Sequence, residues 1–195
     1  QKLTVPDDGK LVQLKKSRDK YMARGWKLAE LRSADGVQLD GCIKEPGERG
    51  TAPRFILFVG GNMQMYEFWL PYFDAYAKQS GLGFLCFNFR GVGRSEGVPS
   101  CVEDMLADIG GCVQYLLEHG VLPQHILLHG FSIGGSLAAL YLAQPEAPAG
   151  LALTSDRSFR SFAHAAFCIC RGPDAAVGED AYPSTAQEDE DEGED

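Results

Sequence analysis

Histidine is scarce in this chain, with four in 195 residues, and tryptophan is scarcer, with two. Four imidazoles leave few choices for any chemistry that needs a nitrogen base or a histidine-rich metal site. No apolar run approaches the roughly 18 residues that a membrane-spanning helix requires, and no signal-peptide pattern opens the chain. The expectation is a cytoplasmic protein with no transmembrane segment, although Gln1 rather than Met stands first, which leaves room for residues upstream. Concentrated positive charge is also missing. Lys15, Lys16, Arg18 and Lys20 form one short run that reads as solvated, so no nucleic-acid partner is expected. The formal charge of -9 is local: Glu188 to Asp195 supplies seven acids and no base, and without them 20 acids face 18 bases. Of the six cysteines, Cys42, Cys86, Cys101, Cys112, Cys168 and Cys170, Cys86 lies in an apolar strand-like run and Cys112 in a helical one. They read as small buried hydrophobes and not as a disulfide framework. Cys168-x-Cys170 has no second ligand pair beside it, so neither zinc nor any other metal or organic cofactor is implied. Nothing sets an oligomeric state.

What is present is a 45% hydrophobic chain of a length that fits one domain. Residues 1–23 are polar, with Pro6-Asp7-Asp8-Gly9 marking a turn. Trp26–Leu31 and Val37–Ile43 alternate around Ala34-Asp35-Gly36, which predicts a β-hairpin. Phe55–Val59 is continuously apolar, as in a parallel strand covered on both faces. Three more such runs follow, Leu82–Phe89, Ile126–Leu128 and Leu151–Leu153. Between them lie helical patterns at Tyr66–Lys78, from the capping-box spacing Ser100-Cys101-Val102-Glu103 to His119, and at Ile133–Ala143; another helix is expected from Ser158 to Phe167. Strand–helix alternation with buried strands predicts an α/β fold, a mostly parallel doubly wound sheet with an antiparallel hairpin at its N-terminal end. Residues 24–170 are the expected domain, and 171–195 an expected disordered acidic tail.

The sharpest motif is Gly130-Phe131-Ser132-Ile133-Gly134, followed by Gly135. It starts where an apolar strand ends and a helix begins, the setting that G-x-S-x-G requires. The turn would hold Ser132 in strained backbone with its hydroxyl exposed, as a nucleophile. The glycines remove side chains that would strike the neighbouring strand and helix. An acyl-transfer site also needs oxyanion donors. The helix N-terminus offers the Ile133 N–H, and the loop after the first parallel strand, Gly60-Gly61-Asn62-Met63, offers the Met63 or Asn62 N–H. Gly91-x-Gly93 after a strand invites a nucleotide-binding reading, but the third glycine is Gly97 and no Walker lysine follows.

Gly60-Gly61-Asn62, Asn88-Phe89-Arg90-Gly91-Val92-Gly93-Arg94-Ser95-Glu96-Gly97 and His129 to Gly135 together resemble the α/β-hydrolase superfamily, most closely its esterase, lipase and serine-peptidase branches. The resemblance covers about residues 25–165. It implies Ser132 as nucleophile, Ile133 N–H as oxyanion donor, and a small-molecule or peptide substrate. It also implies a base and an orienting acid in the order Ser, acid, His, on a fold whose last two strands this chain lacks. His164 alone follows Ser132 and is the candidate base by order, with a surface or packing role as its ordinary reading. Asp156, at the end of the fourth run, is the candidate acid; capping a helix or pairing with Arg157 is its favoured reading. A truncated or catalytically inactive hydrolase-like module that binds a ligand or a protein partner is the alternative to an enzyme.

Overall fold

The structure is a computed structural model that describes residues 8–47, 52–62 and 64–159. β1 (Trp26–Arg32) and β2 (Gln38–Lys44) form the predicted antiparallel hairpin, with Trp26 opposite Lys44 and Arg32 opposite Gln38. β3 (Phe55–Val59), β4 (Gly83–Phe87), β5 (Ile126–Phe131) and β6 (Ala152–Asp156) follow. The order across the sheet is β1-β2-β4-β3-β5-β6, with β2 antiparallel to β4 and the last four strands parallel. The chain moves from β3 to β4 on one side, then returns past β3 to β5 on the other. Such a reversal opens a crevice at the carboxyl ends of the two strands that flank it, here β3 and β5.

The two faces of the sheet are covered by different helices. α2 (Leu70–Ser80) packs Leu70, Phe73 and Ala77 against Ile56, Phe58, Phe84 and Cys86. α3 (Val102–Glu118) and α4 (Ile133–Leu142) cover the other face, where Ile109, Cys112, Leu116 and Ala138 meet Leu57, Val59 and Leu85. Every residue of β3 and β4 is therefore buried, which is why those runs lack polar alternation. β6 is an exception to the buried reading: Ala152, Thr154 and Ser155 are exposed, because it has a neighbour on one side only among the described residues.

Several local expectations shift. Asp8 and Gly9 do not form a turn; they open α1 (Asp8–Met22), whose Leu14, Arg18 and Tyr21 are buried. Arg18 thus leaves the supposedly solvated basic run, being 6% exposed, while Lys15, Lys16 and Lys20 stay exposed. The Tyr66–Lys78 helix divides into a 3-10 turn at Tyr66–Phe68 and α2, with Pro71 in the first turn, where its missing N–H costs nothing. α3 is capped one residue later than its sequence suggests. The Asp104 carboxylate, not Glu103, accepts the Ser100 N–H at 2.7 Å and the Ser100 hydroxyl at 2.8 Å, and Cys101 is the N-cap. Cys42, Cys86 and Cys112 are buried and free, and Cys101 is exposed. Ser158 and Phe159 are not helical; the rest of that expected helix, His164, Cys168, Cys170 and the acidic tail lie outside the described residues.

Candidate active site

Ser132 stands between the last residue of β5 and the first of α4, with φ 55° and ψ -124°. Among the described residues only Arg157 is another non-glycine with positive φ. Such backbone costs on the order of 1–3 kcal/mol and persists only where its surroundings enforce it. The enforcement is visible. The Ser132 N–H donates to the Asp156 carbonyl at 2.8 Å, and the Ser132 carbonyl accepts the Ser158 hydroxyl at 2.6 Å and the Gly135 N–H at 3.1 Å. A Cβ on Gly130 would lie 2.6 Å from the Gly135 nitrogen, and one on Gly134 2.5 Å from the Gly60 carbonyl oxygen. The glycines of the motif are there because strand, turn and helix backbones touch. Ile133 heads α4, so its N–H has no partner within the helix and faces the turn with the positive end of the helix dipole.

The loop leaving β3 approaches the same place. A Cβ on Gly61 would stand 3.3 Å from both the Ser132 Cβ and the Phe131 carbonyl oxygen. Met63 lies outside the described residues; Asn62 is exposed beside it in sequence. The loop ends where Met65 is buried and the Tyr66 N–H donates to Asn88 Oδ1 at 3.0 Å.

Asp156 lies opposite Phe131 in the β5–β6 ladder. Its side chain is 47% exposed and 3.9 Å from Arg157 Nε, while the Arg157 guanidinium sits 5.8 Å from the centre of the Phe131 ring. His129 packs edge-on to Phe58 at 5.8 Å. Burial lowers its pKa, opposed by the Asp156 charge, so the ring is neutral near pH 7. His119 ends α3, and His125 precedes β5, both at the strands' opposite ends from Ser132. Among the described residues no hydrogen bond joins an imidazole to Ser132 Oγ.

Residues 53–165, more than half of the chain, match the family model described as the alpha/beta hydrolase fold. The chain belongs to the alpha/beta hydrolase fold family. It is 32% identical over 124 residues to a multifunctional-autoprocessing repeats-in-toxin protein of Vibrio vulnificus, covering 60% of this chain and 2% of that protein. It is 28% identical over 144 residues to the uncharacterized protein YfhR of Escherichia coli O157:H7, covering 69% and 48%. A crystal structure of an alpha-beta hydrolase from Vibrio vulnificus has a TM-score of 0.59 at 23% identity, covering 78% of this chain and 50% of that one. The Pyrococcus furiosus esterase PF2001 has a TM-score of 0.57 at 20% identity, covering 71% and 51%. At these identities the structural likeness is one of fold. The chain spans about half the length of YfhR and of both solved structures. No helix among the described residues is long and apolar enough to cross a membrane.

In this member of the alpha/beta hydrolase fold family the glycine-rich loop after β4 is filled by its own contacts. The Gly91 N–H donates to the Glu96 carbonyl at 3.0 Å, and Ser95 Oγ donates to the Asn88 carbonyl at 2.6 Å. Arg90 anchors the loop. Its Nε donates to Asp108 at 2.9 Å and its Nη atoms to Asp35 at 2.7 and 2.9 Å, with Asp104 at 3.2 Å. The Arg90 hydrogen bonds, with help from Ser33, lower the Asp35 pKa to about 2. Burial pushes Asp108 upward, against Arg90. A second polar group was invisible in the sequence. Arg18, Asp40, Glu67 and Asn88 are far apart in the chain: Arg18 lies in the basic run, Asp40 in an alternating strand, Glu67 in a helical pattern and Asn88 in the run Leu82–Phe89. The pairing of Asp40 with Asn88, whose N–H donates to the Asp40 carbonyl at 2.8 Å, depends on how β2 lies beside β4.

Proposed function

We propose that Ser132 is the nucleophile of a serine hydrolase that cleaves an ester, thioester or peptide bond of a small-molecule or peptide substrate. Ser132 Oγ gives its proton to a base and bonds to the substrate carbonyl carbon, whose oxygen takes the electron pair. The Ile133 N–H and the N–H of Met63 or Asn62 stabilise that oxyanion. Collapse expels the protonated leaving group and leaves an acyl-Ser132, which water hydrolyses. His164 is the candidate base by its order after Ser132, with a surface or packing role as its ordinary reading. Asp156, hydrogen-bonded through its carbonyl to the elbow, is the candidate orienting acid. The observation that carries the reading is the backbone of Ser132, a non-glycine residue held at φ 55° between a parallel strand and a helix N-terminus.

A second reading, a hydrolase-like binding module without turnover, draws support from the lack of an imidazole bonded to Ser132 Oγ among the described residues. A fluorophosphonate probe separates the two. Labelling at neutral pH that disappears in Ser132→Ala supports the nucleophile, and its loss in His164→Ala supports that base. Wild-type protein that stays unlabelled overturns the hydrolase reading.

A further inference from the structure

We infer that Asn88 is a positioning residue for the oxyanion loop, clamping the exit of the β3–α2 connection, and that Arg18 of α1 holds this clamp from behind. The inference rests on the serine hydrolase reading for its catalytic meaning. The clamp itself is a matter of hydrogen bonds.

Asn88 follows β4 and is 2% exposed. Its Oδ1 accepts the Tyr66 N–H at 3.0 Å, and its Nδ2 donates to Glu67 at 3.2 Å and to Asp40 at 3.4 Å. The amide has one workable orientation, since turning it over would aim oxygen at two carboxyl groups and NH2 at an N–H. The connection thus packs close to the elbow at Gly61 and is held at Tyr66, whose N–H donates to Asn88. Gly93 closes around the clamp: a Cβ there would lie 2.7 Å from Met65 Cε and 3.0 Å from Asn88 Nδ2. That gives the glycine-rich loop a purpose that phosphate binding does not. Arg18 reaches Asp40 at 3.4 Å from α1. Without it, the buried Glu67 and the partly buried Asp40 would face Asn88 without the Arg18 charge, a costly arrangement.

Asn88→Leu and Arg18→Met, made in the full chain, test this by amide hydrogen exchange and by fluorophosphonate kinetics. In Asn88→Leu, the Gln64–Trp69 stretch should exchange about tenfold faster, the equivalent of one lost hydrogen bond, while β5 and α4 keep their protection. The maximal labelling rate of Ser132 should fall about tenfold to a hundredfold, the scale of a misplaced oxyanion donor, at an unchanged half-saturating probe concentration. Arg18→Met should show the same pattern more weakly, and it decides the matter if Asn88→Leu does not fold. Unchanged exchange at Gln64–Trp69, or faster exchange throughout the protein, overturns the clamp. Wild-type protein that fails to label refutes the hydrolase reading, while the exchange data still decide the clamp.

Discussion

Gly134→Ala challenges the elbow with the smallest possible side chain. The new Cβ would lie 2.5 Å from the Gly60 carbonyl oxygen and nearer still to that of Val59. Non-bonded carbon contacts settle near 3.5–4.0 Å, so the start of α4 must retreat from β3 by about 1 Å. Neither obstacle swings aside, because Val59 is laddered to Gly130 of β5. Overpacking against backbone costs about 3 kcal/mol, and helix propensity returns at most about 1 kcal/mol. The net loss of about 2 kcal/mol corresponds to a fall in Tm of about 4–8 °C at this chain length. A displacement of about 1 Å at a reacting centre costs about a hundredfold in rate, which should appear in fluorophosphonate labelling. Gly120→Ala is the control. Nothing lies within 4 Å of its Cβ, but φ is +79°, so it should lower Tm by a similar amount through left-handed strain of about 1–2 kcal/mol without slowing labelling. A Gly134→Ala protein with wild-type Tm and wild-type labelling rate would refute the cramped elbow.

The adjacent glycines of α3 should respond in opposite senses. A Cβ on Gly110 would make an ordinary 3.4 Å contact with Tyr141, so Gly110→Ala should stabilise by up to about 1 kcal/mol. A Cβ on Gly111 would lie 2.6 Å from Ser33 Cα, so Gly111→Ala should destabilise by about 1–3 kcal/mol; urea melts give both signs. Asp74 is buried and accepts from the Trp26 indole at 3.3 Å, Arg24 at 3.0 Å and Lys78 at 2.8 Å. Asp74→Ala should cost about 1–3 kcal/mol by orphaning the indole N–H, and a wild-type melt would contradict it. Burial raises the Glu67 pKa against its own backbone N–H and Asn88, and raises Asp40 against Arg18. Carboxyls raised on folding contribute stability that is complete below about pH 4 and lost as pH rises through the folded value. The lowered pKa of Asp35 works oppositely: its contribution is present above about pH 4 and lost as pH falls towards 2. Glu67→Gln should therefore lose less Tm than wild type as pH rises above about 4, with His129, whose pKa burial lowers, working in the opposite sense in both proteins; an equal slope in the two would count against the buried-carboxyl account.

The parallel core was legible because burial on both faces writes itself as unbroken apolar runs, and β3 and β4 follow theirs closely. The elbow was legible because backbone-to-backbone contact admits only glycine, so its spacing survives as a pattern. α1 was not, because among its described side chains the buried ones are Leu14, Arg18 and Tyr21, and an arginine gives no apolar periodicity. The α3 cap slipped by one residue since Glu103 and Asp104 are adjacent acids and only geometry chooses between them. The Asn88 network escaped for a different reason: partners 22 and 48 positions apart in the chain meet only once the sheet order is known.

Arg90 binds the hairpin turn at Asp35, the start of the β4 loop and α3 through one guanidinium that is 4% exposed. Peeling off the two-stranded margin alone would take Asp35 from a buried cation and leave it only Asp104 and Asp108 of α3 among the described residues. Loosening at that margin is therefore felt in α3 through a single side chain, which couples the hairpin to the layer beneath.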